Sequence, residues 1–192
     1  MRTSRIDGFI AEQENIETAN RKTIGELQLC KLNRLLKREK GRKGFYSGLP
    51  EKLESLAELK ELPFTSAEDL ANNASGLLLC SQADIQRVLS DVTSGTTGAA
   101  KRVFYTERDC ENTIALFMAG LGEFIFPGSV TLVCMPFSGP YGLGDLIAEA
   151  ICRLGARPIK AGVGKSYAFL QALIREEKPD TYVGCLLYTS PS

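Results

Sequence analysis

The sequence predicts an α/β protein: a helical N-terminal segment over residues 1–85, then part of a mostly parallel sheet with flanking helices over residues 86–184. Three observations predict it. Residues 16–75 place leucines at helical spacing and hold no strand-like run. After about Asp84, short apolar strands alternate with helical patterns at the spacing of βαβ units. Loops rich in glycine with Ser/Thr or proline follow two of those strands.

The elements follow in order. The first fifteen residues are polar with little periodicity. From about Ile16 to Lys40, Ile24, Leu27, Leu32, Leu35 and Leu36 keep to one helical face, and Gly41 and Gly44 punctuate its end. Ser55-Leu-Ala-Glu58 has capping-box spacing and opens a short helix with Leu56, Leu59 and Leu62. Pro63 stops it, because the residue before a proline is driven out of helical conformation, and Thr65-Ser-Ala-Glu68 starts another helix carrying Leu70. Val88–Val92 reads as a strand leading into a loop, and Arg102–Tyr105 as a strand leaving it. Thr106-Glu-Arg-Asp109 caps a helix to about Phe124, and Pro127-Gly128 ends the segment. Val130–Met135 is a buried strand by composition, followed by the loop Pro136–Gly144. Asp145–Leu154 is a helix with Gly155 at its C-terminus, Arg157–Ala161 a strand, Ser166–Glu177 a helix and Thr181–Val183 a strand. Ligands of such sheets gather at the carboxyl ends of strands, where the Thr93 and Pro136 loops are both expected to lie.

Composition narrows the function. At 192 residues the chain buries a core of its own, as one domain or part of a larger one. Lys plus Arg and Asp plus Glu number 23 each, so no net field draws nucleic acid or an anionic membrane, and neither is expected as a partner. The basic run Lys37–Lys43 suits the solvated end of a helix, where cations oppose the dipole. No apolar run approaches the length of a membrane span. Histidine is absent, which removes Ser-His-Asp and Cys-His catalysis and histidine-ligated metals from this stretch. Cysteines at 30, 80, 110, 134, 152 and 185 form no Cys-x-x-Cys pair and match no zinc or iron–sulfur spacing. Cys134 and Cys152, in apolar surroundings, are expected in the core. With no secretory signal at the N-terminus, reduced thiols in the cytoplasm are expected. Nothing in the sequence bears on oligomeric state.

The most specific stretch is Thr93-Ser-Gly-Thr-Thr-Gly98, followed by Lys101. Gly95 and Gly98 let the backbone approach phosphate oxygens closely, Ser94, Thr96 and Thr97 add hydroxyl donors, and the lysine adds a point charge. Ser-Gly-Thr-Thr-Gly arises by chance in about one chain of this size in a few thousand. We read it as a phosphate-gripping loop. Gly162-Val-Gly-Lys-Ser166 imitates a Walker A loop, but Ile159 stands where its first glycine belongs, so it reads as a turn with Ser166 as helix N-cap. Phe137 and Tyr141 of the Pro136–Gly144 loop either wall a substrate pocket or simply pack. Asp145 is explained by the helix dipole, and Asp109 and Glu111 by solvation on a helix.

These residues carry a family resemblance. Ser94-Gly-Thr-Thr-Gly98 with Lys101 resembles the phosphate loop of adenylate-forming (AMP-binding) enzymes. Leu62-Pro-Phe-Thr65 with Glu68-Asp-Leu70, Arg102–Thr106, Leu154-Gly-Ala-Arg-Pro158 and Pro179–Gly184 are similar to the phenylacetate–coenzyme A ligase branch, and the likeness spans roughly residues 24 to 184. The resemblance implies an incomplete large domain of a two-step ligase using Mg-ATP (Mg2+ with ATP) and coenzyme A. A small-molecule carboxylic acid attacks the α-phosphate to give an acyl-adenylate, and the coenzyme A thiol then displaces AMP. Thr93, Ser94, Gly95, Thr96, Thr97, Gly98 and Lys101 would hold the β- and γ-phosphates and stabilise the departing pyrophosphate.

Ala100 departs from the family's usual proline and leaves the loop less rigid. Relatives continue into parts carrying a magnesium-binding glutamate, a ribose-binding aspartate and the adenylation lysine. The resemblance therefore implies an N-terminal fragment with no catalytic residue or metal ligand of its own, inactive alone. Residues 185–192 resemble translated sequencing-adapter read-through and are expected to pack against nothing. Transfer of the acyl group to a protein thiol, a nucleotide-binding module without catalysis, and a non-functional fragment remain alternative readings.

Overall fold

The computed structural model describes residues 4–42, 44–91, 101–139 and 141–184. The phosphate loop Thr93–Gly98 and the tail 185–192 lie outside the described residues. The chain divides into two compact units, residues 14–107 and residues 1–13 with 108–192. The first two strands, which pair with each other, both fall in the 14–107 unit.

In the 14–107 unit, helix α2 (Arg21–Lys40) opens at a capping box in which Asn20 Oδ1 accepts the Thr23 N–H and Thr23 Oγ1 accepts the Asn20 N–H. The helix starts five residues later than its apolar pattern, because Asn20 stops the chain there. Polar side chains of α2 hold the irregular stretch that follows. Asn33 Nδ2 donates to Leu53 O (2.9 Å) and its Oδ1 accepts the Leu53 N–H (2.8 Å), which satisfies the backbone of a buried leucine. Buried Glu39 pairs with Arg38 and Arg42, and both guanidinium groups also donate to Leu79 O. The basic run is thus partly tied down rather than wholly solvated.

Short 3₁₀ turns span Phe45–Gly48 and Leu56–Glu61, the second where a helix is expected, with Ser55 and Glu58 in the expected capping box. Helix α3 (Ala67–Asn72) is capped by Ser66 and Asp69, one residue beyond the expected Thr65–Glu68 pair.

Strands β1 (Ile85–Asp91) and β2 (Lys101–Thr106) correct the sequence reading. They form a two-stranded antiparallel sheet of their own, separate from the parallel sheet. Arg87 lies opposite Tyr105, with its guanidinium 5.2 Å from the ring centroid, a cross-strand contact that favours this register.

In the other unit, residues 5–14 form helix α1 (Arg5–Glu14), where no element is expected from periodicity. Ser4 and Asp7 bond reciprocally at its start, and the Arg5 N–H donates to Glu123 Oε1 at 2.8 Å. Helix α4 (Glu107–Leu121) leads to β3 (Val130–Cys134), α5 (Leu143–Arg153), β4 (Arg157–Lys160), α6 (Tyr167–Glu177) and β5 (Thr181–Gly184). The expected parallel sheet is present, in the order β4-β3-β5 with β3 central. Val133 packs with Ile147 and Ile151 of α5 on one face, and Leu132 and Cys134 pack with Leu170 and Leu173 of α6 on the other. Coverage of both faces explains why β3 reads as a continuous apolar run. Gly155 ends α5 at φ +78°, the left-handed conformation expected of a glycine there.

Cys134 is buried, but Cys152 is exposed on the outer face of α5, against expectation. Glu111 is paired rather than merely solvated: Arg153 donates to both its oxygens, at 2.7 and 3.0 Å.

Candidate functional site

Asp91 and Lys101 are the last partners of the β1–β2 ladder. Residues 92–100, which connect these two strands in the sequence, lie outside the described residues. The residues read as phosphate contacts are the seven Thr93–Gly98 and Lys101, and of these only the Lys101 backbone, the first residue of β2, belongs to the described structure. The segment connects β1 and β2, which pair with each other and not with the strands of the parallel sheet.

The Pro136–Gly144 loop does lie at the carboxyl end of β3, as expected. It folds back on itself: the Gly142 N–H donates to Gly139 O (2.8 Å) and the Gly144 N–H to Pro136 O (2.9 Å). A Cβ on Gly144 would stand 2.7 Å from Pro136 O and 2.9 Å from the Phe137 ring, so the turn admits only glycine without displacement. Phe137 then lines a cavity of about 430 Å³ at the carboxyl ends of β3 and β4, with Asp145, Lys160 and Lys165. Tyr141, at φ +69°, does not line this cavity.

The cavity is more charged than two aromatic walls suggest. Lys160 Nζ donates to Asp145 Oδ1 at 2.9 Å and sits 5.3 Å from the Phe137 ring centroid. Asp145 thus does more than face the α5 dipole. Its Oδ2 is buried with no hydrogen-bond partner among the described residues. Lys160 and Lys165, which line this cavity, were not among the expected site residues; the available signal was their place at the carboxyl end of β4 and in the glycine-rich turn that follows it. The Walker-like stretch is the expected turn: Gly162 and Gly164 take φ of +78° and +70°, and Ser166 Oγ caps α6 by accepting the Phe169 N–H.

Burial pushes the Cys134 thiol upward, which removes it as a nucleophile. Among the described residues no group of three His, Cys, Asp or Glu side chains could hold a metal ion, and no helix is long and apolar enough to cross a membrane.

The described residues form an α/β fold: an antiparallel pair of strands in the 14–107 unit and, in the other unit, a parallel sheet covered by helices on both faces. No family model matches the sequence, and no curated protein matches it either. Solved structures match the fold. One is 2-hydroxyisobutyryl-CoA ligase in an open conformation with 2-HIB-AMP and CoA, at a TM-score of 0.66 and 19% identity, covering 85% of this chain and 41% of that one. The same ligase in the postadenylation state with R3-HIB-AMP matches at a TM-score of 0.67 and 17% identity, over 84% of this chain and 36% of that one. Its thioesterification state matches at 0.67 and 19%, over 85% and 37%. The chain therefore has the fold of part of such an enzyme, and spans 36–41% of the length of these ligase chains.

Proposed function

We propose that the chain is the N-terminal part of an ATP-dependent carboxylate–coenzyme A ligase, which forms an acyl-adenylate and then a thioester. The observation that carries this is Ser94-Gly-Thr-Thr-Gly98 with Lys101 on a fold shared with 2-hydroxyisobutyryl-CoA ligase. In this reading the loop's N–H groups, Ser94, Thr96, Thr97 and Lys101 bind the β- and γ-phosphates, and their charge stabilises the leaving pyrophosphate. Magnesium enters on the nucleotide phosphates, where it neutralises charge. Phe137 and the Asp145–Lys160 pair border the acid. CoA as acceptor is favoured over a protein thiol by the ligand named in the matched structures. The phenylacetate–CoA ligase-like branch, suggested by Leu62–Leu70 and Arg102–Thr106, is the finer assignment, and a cytoplasmic location goes with it.

The test is carboxylate-dependent ATP–pyrophosphate exchange by the product of the complete reading frame, across a panel of acids. Lys101→Ala and Thr97→Ala are expected to slow exchange by about 100-fold or more, the scale of losing one transition-state donor, with the fold intact. Normal exchange in both variants would refute the loop assignment. For the 192-residue chain itself, Mg-ATP is expected to raise the unfolding temperature.

A further inference from the structure

We infer that an aromatic-walled cavity in the 14–107 unit binds a small organic cation through a quaternary ammonium head. The cavity, about 550 Å³, is built from the 3₁₀ turn Phe45–Gly48, the extended stretch 62–65 and Asp69 of α3. That volume suits a small ligand. Phe45 and Tyr46 both line the cavity, and their rings meet edge to face, with centroids 5.1 Å apart and planes at 86°. Phe64 adds a further wall and is 92% exposed, the most open large apolar side chain among the described residues. An aromatic ring left in water beside two others forgoes the gain of burial unless something covers it.

The charge at the cavity says what that occupant is. Asp69 Oδ2 accepts from the Ser66 N–H (2.8 Å) and Oγ–H (2.7 Å), while Oδ1 has no partner among the described residues. Those two bonds hold the Asp69 carboxyl below the ordinary carboxylate range, so the group is ionised and fixed in place. The nearby Lys40 ammonium is tied to Leu49 O at 3.2 Å, and no described salt bridge neutralises Asp69. Aromatic faces attract cations through their quadrupoles, and a carboxylate beside them excludes anions and leaves neutral ligands without the charge term. The Tyr46–Thr65 hydroxyl pair, 3.4 Å apart, spends one of its two hydrogens internally and leaves one donor for a ligand oxygen. This site does not rest on the ligase reading.

The test is an NMR titration of the 192-residue chain with choline and with 3,3-dimethylbutan-1-ol, its neutral carbon isostere. Saturable choline binding with shifts at Phe45, Tyr46, Phe64 and Asp69 is expected, and about tenfold weaker binding of the alcohol. Phe64→Ala, at an exposed position, and Asp69→Asn, which keeps an acceptor for the Ser66 cap, should each weaken choline by about tenfold while the spectrum stays folded. Non-saturating shifts, equal affinity for the alcohol, or unchanged affinity in both variants would overturn the inference.

Discussion

Gly144→Ala sets two physical effects against each other, and the structure decides the sign. Gly144 is the second residue of α5, where alanine by helix propensity alone adds up to about 1 kcal/mol of stability. The new Cβ, however, would stand 2.7 Å from Pro136 O and 2.9 and 3.0 Å from two Phe137 ring carbons. Pro136 O accepts the Gly144 N–H at 2.9 Å, so the turn cannot open without straining that bond. Phe137 cannot retreat freely, because it packs against the Val133–Ile147–Ile151 core. Overpacking of this kind costs about 1–3 kcal/mol, and a weakened hydrogen bond about 1 more. The net expectation is a loss of about 1–3 kcal/mol. Urea unfolding followed by circular dichroism would read it as a fall in midpoint of about 0.5–1.5 M with the slope unchanged. Gly25→Ala is the matched control: it lies inside α2 with no heavy atom within 4 Å of the added Cβ, and should gain about 0.5–1 kcal/mol. If Gly144→Ala proved as stable as the parent while Gly25→Ala gained stability, the close approach would have no energetic weight and the reasoning would fail.

Asn33→Ala strips both bonds from the buried Leu53 backbone and should cost about 2–3 kcal/mol in thermal or urea unfolding, with Asn33→Asp recovering part through the retained acceptor. The Glu111–Arg153 pair gives a pH signature. Arg153 holds the Glu111 carboxyl below its ordinary value of 4.5, so its stabilisation is present above that pH and fades as pH falls through the lower folded value. Glu111→Gln should therefore unfold at a lower temperature than the parent at neutral pH and match it in strong acid. A gap that persists in acid would show that the effect is not ionic, and added salt should narrow the gap at pH 7.

Much of the local structure was legible because its code is short. Ser166 three residues before Phe169, Gly155 after the last turn of α5, and the Val130–Cys134 run each carry their own instructions within a few residues. Helix α1 was missed because it lacks apolar periodicity: its Ser4–Asp7 cap is local, but its tie to the rest of the unit is remote, with Glu123 accepting the Arg5 N–H across 118 residues of sequence. The second 3₁₀ turn was misread because the Ser55–Glu58 box announces a start without specifying how tightly the turns wind. Cys134 and Cys152 look alike in sequence, yet α5 turns Ile147 and Ile151 inward and leaves Cys152 outside.

The sequence by itself determined the glycine- and hydroxyl-rich segment with its lysine, the caps, and the alternation of strands and helices after residue 84. These depend on backbone conformation and hydrogen bonds reaching only three or four residues. Tertiary structure alone decided that β1 and β2 pair with each other and not with the strands of the parallel sheet. It alone brought Phe137, Asp145 and Lys160 to one cavity. A strand's pattern states which face it buries but not which strand it will meet, and that choice is made by the packing of the whole sheet.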